Sequence, residues 1–107
     1  MKRVLLVGGD LSARARLEAA AQRTGSELRT CRLEDVAEAV GAEPIDLVVA
    51  DLDSGREIVV EALRDVTTRV VGFYSHVDTA LGEAAKAAGI EAVPRGRFWR
   101  ELDDLFG

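Results

Sequence analysis

Four short polar clusters, each directly after an apolar run, hold the residues of this sequence that could do chemistry. Gly8, Gly9 and Asp10 follow Val4-Leu5-Leu6-Val7, and Asp51 and Asp53 follow Leu47-Val48-Val49-Ala50. Ser75 and His76 follow Val70-Val71-Gly72-Phe73-Tyr74, and Pro94 and Arg95 follow Ile90-Glu91-Ala92-Val93. Brought to one edge, these clusters would supply carboxylates, a hydroxyl, an imidazole and a guanidinium. Such a set can bind an anion, bind a cation, or neutralise itself. Asp51 is the most informative member, because a carboxylate that closes an apolar run must face the edge of the fold or be paired. Pairing with Arg95 across the rim is the structural alternative to a reactive Asp51.

Each of the other candidates has a plainer reading beside the chemical one. Gly8-Gly9 could leave room for a phosphate at a helix N-terminus, or could serve only a tight strand-to-helix turn. Neither the G-x-G-x-x-G nor the GKS/GKT fingerprint is present. Ser75-His76-Val77-Asp78 and Ser54-Gly55-Arg56-Glu57 both fit capping boxes, with the serine as N-cap and the acid reaching back. His76 could titrate near neutral pH or be polar surface. No nucleophile–base pair and no metal triad stands out, so independent turnover is not expected.

The elements that must position these residues are read from periodicity. Val4–Val7, Ile45–Ala50 and Arg69–Tyr74 read as buried strands, Glu27–Cys31 as a polar edge strand and Ile90–Val93 as a short last strand. Between them, Ala13, Leu17, Ala20 and Ala21 mark a first helix, stopped by Gly25 in a left-handed cap. Leu33, Val36, Ala37 and Val40 mark a second helix closed by Gly41 and Pro44, and Ile58, Val59, Ala62, Leu63 and Val66 the face of a third. Ala80, Leu81, Ala84, Ala85 and Ala88 mark a fourth, and Phe98, Trp99, Leu102, Leu105 and Phe106 the apolar face of a terminal helix. Strict alternation of strands and helices predicts an α/β fold: a doubly wound, flavodoxin-like parallel sheet of five strands in the order 2-1-3-4-5, with helices on both faces. In such sheets ligands bind beyond the carboxyl ends of the strands, which is where the four clusters fall.

The bulk properties narrow the function. The 107 residues make one domain, 48% hydrophobic and 31% charged, a globular composition. Fourteen basic residues against nineteen acidic ones give a net charge of -5, the wrong sign for a nucleic-acid surface. The single cysteine, Cys31, excludes an internal disulfide and a zinc cluster, and its place in a strand suits an inert buried thiol. No apolar run is long enough to span a membrane, and the N-terminus lacks a signal-peptide core, so a cytoplasmic location is expected.

The chain resembles the receiver domains of two-component response regulators. Pro44-Ile45-Asp46-Leu47-Val48-Val49-Ala50-Asp51-Leu52 is similar to the strand that presents the phospho-accepting aspartate. Ala84-Ala85-Lys86-Ala87-Ala88-Gly89-Ile90-Glu91 is similar to the fourth helix and its glycine-led approach to strand five. The likeness spans nearly the whole chain. It implies Asp51 as phosphoacceptor, Ser75 as the switch hydroxyl and Arg95 in place of the pairing lysine. It also exposes departures. The two acids that hold magnesium in the family are replaced by Gly8 and Gly9, and Asp10 lies one step late. The loop after Asp51 is short and lacks the usual Met-Pro segment.

The resulting expectation is a degenerate, stand-alone receiver that docks a protein partner, a homodimer being one form of this. It needs no cofactor or metal and has no output domain after Gly107. Phe98 and Trp99 are the candidate anchors of the docking face, the plainer reading being that both pack inward. Two alternatives stay open: a working phosphoacceptor at Asp51, and a small-molecule or anion site at the Gly8-Gly9 rim.

Overall fold

Three strands are buried along almost their whole length and form the centre of the molecule: β1 (Arg3–Val7), β3 (Leu47–Asp51) and β4 (Val70–Tyr74). The computed structural model describes residues 1–107. With β2 (Glu27–Cys31) and β5 (Glu91–Pro94) at the edges, the strands form one parallel sheet in the order β2-β1-β3-β4-β5. This is the flavodoxin-like order expected from the alternation. The central strands are apolar throughout because both of their faces are covered.

Successive side chains of a strand point to opposite faces, and the sheet sorts its core accordingly. Val4, Leu6, Leu47, Val49, Val71 and Phe73 face α1 (Leu11–Thr24), α5 (Arg95–Arg100) and α6 (Leu102–Phe106). Leu5, Val7, Val48, Ala50, Val70 and Tyr74 face α2 (Val36–Ala42), α3 (Glu57–Leu63) and α4 (Thr79–Ala87). Asp51 has the parity of Leu47 and Val49 and pairs in register with Phe73. Its carboxylate is therefore set on the α1/α5 side, beside that ring. Tyr74 pairs with Pro94, which brings Ser75 and Arg95 to the same end of the sheet.

Helix ends follow local chemistry. Asp10 caps α1, its carboxylate accepting from the Ala13 N–H at 2.8 Å, and Gly25 ends the helix at φ 73°. The C-terminal segment is tied to the first helix and to the start of β1 and β2. Arg23 pairs with Asp103, Lys2 donates to the Leu105 carbonyl at 2.7 Å, and the Ser26 hydroxyl donates to that of Phe106 at 3.0 Å. No helix is long and apolar enough to cross a membrane.

Several local expectations are corrected. The second helix runs through Gly41 to Ala42. The third buries Val59, Val60 and Leu63 but leaves Ile58 71% exposed. The cause is the path out of β3: a 3₁₀ turn, Leu52–Ser54, buries Leu52, and Arg56 then adopts φ 51° before the helix starts at Glu57. The terminal helix breaks into α5 and α6 at Glu101. Neither serine is an N-cap. Ser54 donates to the Asp51 carbonyl at 2.7 Å, and α4 is capped by Asp78, which accepts from the Leu81 N–H at 3.2 Å.

Candidate functional site

The carboxyl end of the sheet gathers Asp51, Asp53, Ser75 and Arg95 into one hydrogen-bonded group. Arg95 Nη2 donates to Asp51 Oδ1 at 2.7 Å, and Arg95 Nε donates to Asp53 Oδ2 at 2.9 Å. One guanidinium thus bridges two carboxylates, a use of its fork that a lysine ammonium would not reproduce in this planar geometry. The Asp53 N–H donates to Asp51 Oδ1 at 3.0 Å, so the turn after β3 folds back onto its own aspartate. The Ser75 N–H donates to Asp53 Oδ1 at 3.2 Å and attaches the β4–α4 loop to the group. The loops after β3 and β4 and the start of α5 are held by four hydrogen bonds around a single cation.

Asp51 is the one buried charged residue, 6% exposed, and water reaches Asp53 and Arg95 only in part. Burial disfavours the Arg95 charge, but the hydrogen bonds to Asp53 and Asp51 outweigh it and hold the guanidinium's pKa above its usual value. The cation also rests 4.8 Å from the centre of the Phe73 ring. Phe73 in turn stacks on Phe98, ring centres 4.7 Å apart. A column of Arg95, Phe73 and Phe98 connects the rim to the core.

Phe98 is consequently part of the interior, 2% exposed, and cannot anchor a partner. Trp99 is half-buried against Phe73 and Phe98, with the Arg16 guanidinium 4.0 Å from its ring centre. The aromatic surplus read in the terminal segment is mostly absorbed: Leu102 and Phe106 are buried as well.

The other rim candidates stand apart from the ion-paired group. Gly8, Gly9 and Asp10 line an open cleft over β1 and β2, together with Arg14, Thr30, Cys31, Arg32 and Asp35. Gly8 and Gly9 both have left-handed φ, 70° and 85°, a conformation L-residues rarely adopt. The departure from an acidic pair therefore extends to the backbone. Asp10 is engaged in capping α1. Cys31 is half-buried, and burial, with Asp35 and Glu34 nearby, raises its pKa, keeping the thiol a poor nucleophile. His76 lies exposed beyond Ser75, its ring making no hydrogen bond within the protein.

Sequence reasoning left three roles unread. Asp53 is the second partner of Arg95, and the signal that points to it is a pair of aspartates two residues apart after β3 with a two-pronged cation after β5. Phe73 is the platform beneath the cation. Arg56, held at positive φ, reaches across from the third loop to pair with Asp78 at the start of α4.

That last pair carries a pH signature. The hydrogen bond from Arg56 holds the Asp78 carboxyl below its usual value, with desolvation opposing it. A carboxyl depressed on folding adds stability above its unfolded pKa, about 3.9, and loses it as the pH falls through the lower folded value. Urea midpoints of the wild type and Asp78→Asn are expected to differ at neutral pH and to converge below about pH 4. A gap independent of pH would show that the pair contributes nothing through its charge.

No protein-family model matches the sequence, and no curated protein matches it. Solved structures do. The receiver domain of the TMAO respiratory system response regulator TorR superposes with a TM-score of 0.82 at 17% identity, over 95% of this chain and 90% of that one. A response regulator from Thermotoga maritima gives 0.80 at 19% identity, over 98% and 93%. A chain from the complex of the histidine kinase ThkA with the response regulator protein TrrA gives 0.74 at 23% identity, over 98% and 95%. By sheet order, helix placement and near-complete coverage, this chain has the fold of response regulator receiver domains.

Proposed function

We propose that this chain is a receiver-like signalling module that works by docking another protein, without magnesium-dependent phosphorylation of Asp51 and without turnover of its own. One observation carries the reading: the two carboxylates that converge on the rim, Asp51 and Asp53, are already bridged by Arg95. Transfer of a phosphoryl group to a carboxylate needs a divalent cation to neutralise the migrating charge. Magnesium is generally held by one or two protein carboxylates plus waters. Here the other acid of the rim, Asp10, is spent on the α1 cap, the two positions before it are glycines, and no three His, Cys, Asp or Glu side chains converge. The donor set does not fit the ion. Docking is supported by the fold and by the complex of TrrA with a histidine kinase, a property of that protein extended here to this one.

Calorimetric titration with magnesium is expected to give no binding tighter than millimolar, and acetyl phosphate with magnesium to leave Asp51 unlabelled. Tight binding that is lost in Asp51→Ala, or labelling lost in the same variant, would instead establish a working phosphoacceptor. Protein partners are to be sought by co-purification with the intact chain, with Asp51→Ala expected to retain them.

A further inference from the structure

We infer that the Asp53 carboxylate is a tethered anion: it fills an oxyanion-binding centre made by Arg95 Nε–H and the Ser75 backbone N–H, and so holds the β4–α4 loop closed without any external ligand. The inference rests on the reading of the rim as a metal-free, ion-paired group.

Three features support it. Asp53 is the member of the group whose contacts run between loops, with one oxygen on Arg95 at the end of β5 and the other on the amide at the end of β4. Asp51, by contrast, is held by its own turn as well as by Arg95. The Ser75 hydroxyl, half-exposed beside the amide, makes no hydrogen bond within the protein and is a third donor available to an oxyanion. Donors directed at a carboxylate suit any small oxyanion of similar size, whether acetate, formate or phosphate. Because Asp53 is covalently attached, its effective concentration at these donors far exceeds that of free anions. The wild-type centre is therefore closed to them, and removal of the Asp53 carboxylate opens it. Asp51 still neutralises Arg95 in that variant, so free anions are expected to bind weakly, in the millimolar range.

The test is anion rescue of Asp53→Ala. Hydrogen exchange at the Ser75 amide is expected to accelerate by about tenfold or more in this variant, the effect of losing one hydrogen bond to a charged group. Millimolar acetate or inorganic phosphate is expected to restore protection and raise the melting temperature progressively with concentration, as a ligand of the folded state must. Chloride at matched ionic strength is expected to do neither. The wild type and Asp53→Ala/Arg95→Gln are expected not to respond. If Asp53→Ala folds only poorly, the folded yield as a function of acetate is the readout, with the same expectation. Unchanged Ser75 exchange, or no difference between acetate and chloride, overturns the inference. Magnesium alone stabilising the wild type would count against the metal-free reading of the rim, whereas failed rescue by anions counts against the tethered anion.

Discussion

Phe98→Ala is expected to lower the unfolding free energy by about 3–5 kcal/mol, the range for deleting a fully buried aromatic ring. The ring fills the space between β4 and the C-terminal helices, stacked on Phe73 and in contact with Trp99. Few side chains are placed to collapse into the void, because α5 and α6 are short and the position of α6 is set by the bonds to Lys2, Arg23 and Ser26. Trp99→Ala is expected to cost less, about 1–3 kcal/mol, since part of the indole stays in water and its contact with Arg16 is a surface one. Equal losses for the two variants in urea denaturation would mean that Phe98 is not the central residue of this core. Phe98→Ala also removes the support beneath Phe73, and with it part of the platform for Arg95. Phe98→Leu, which keeps most of the apolar volume, is expected to recover much of the loss.

The parallel sheet was legible because strands and helices alternate strictly, and its three central strands because Val4–Val7, Leu47–Ala50 and Val70–Tyr74 are apolar on both faces. The position of Asp51 at the end of β3 followed for the same reason. Inward packing of Phe98 was legible as the plainer alternative to a docking role, but the ring it stacks on was not. Periodicity places Phe98 and Trp99 next to each other on a helix, but it does not show the break at Glu101 or the ring of Phe73 waiting opposite. Ile58 was misplaced through an unseen backbone event, the positive φ of Arg56, which resets the phase of α3. Asp53 was legible as a rim residue but not as a partner of Arg95. Its place depends on the tight turn after Asp51, whose 3₁₀ geometry brings the second aspartate back over the first. Pairwise spacing along a strand would have put both on one face and left their common cation undetermined.

Arg95→Gln is expected to destabilise the fold by about 2–3 kcal/mol at neutral pH. A fully buried pair broken by removal of one partner costs about 3–5 kcal/mol. The lower figure applies here because 37% of the Arg95 side chain is in contact with water, which screens the charge left behind. The effect exceeds that of an ordinary surface pair because two carboxylates lose the same cation at once, and one of them, Asp51, has almost no access to solvent. Asp51→Asn is expected to be milder, about 1 kcal/mol, since the amide oxygen still accepts from Arg95 and from the Asp53 N–H. In the double variant the buried charge is gone, so the loss is expected to fall short of the sum of the two single losses. Equilibrium denaturation of the four proteins measures that coupling directly. Strict additivity would mean that Arg95 and Asp51 are neighbours without an energetic link. Arg95→Lys separates charge from geometry: an ammonium can neutralise the site but cannot copy the planar two-pronged contact, so it is expected to restore part of the stability and to leave the Ser75 amide less protected than in the wild type. A lysine variant indistinguishable from the wild type in both measurements would reduce the arginine to a simple counter-charge and remove the reason for its bridging role.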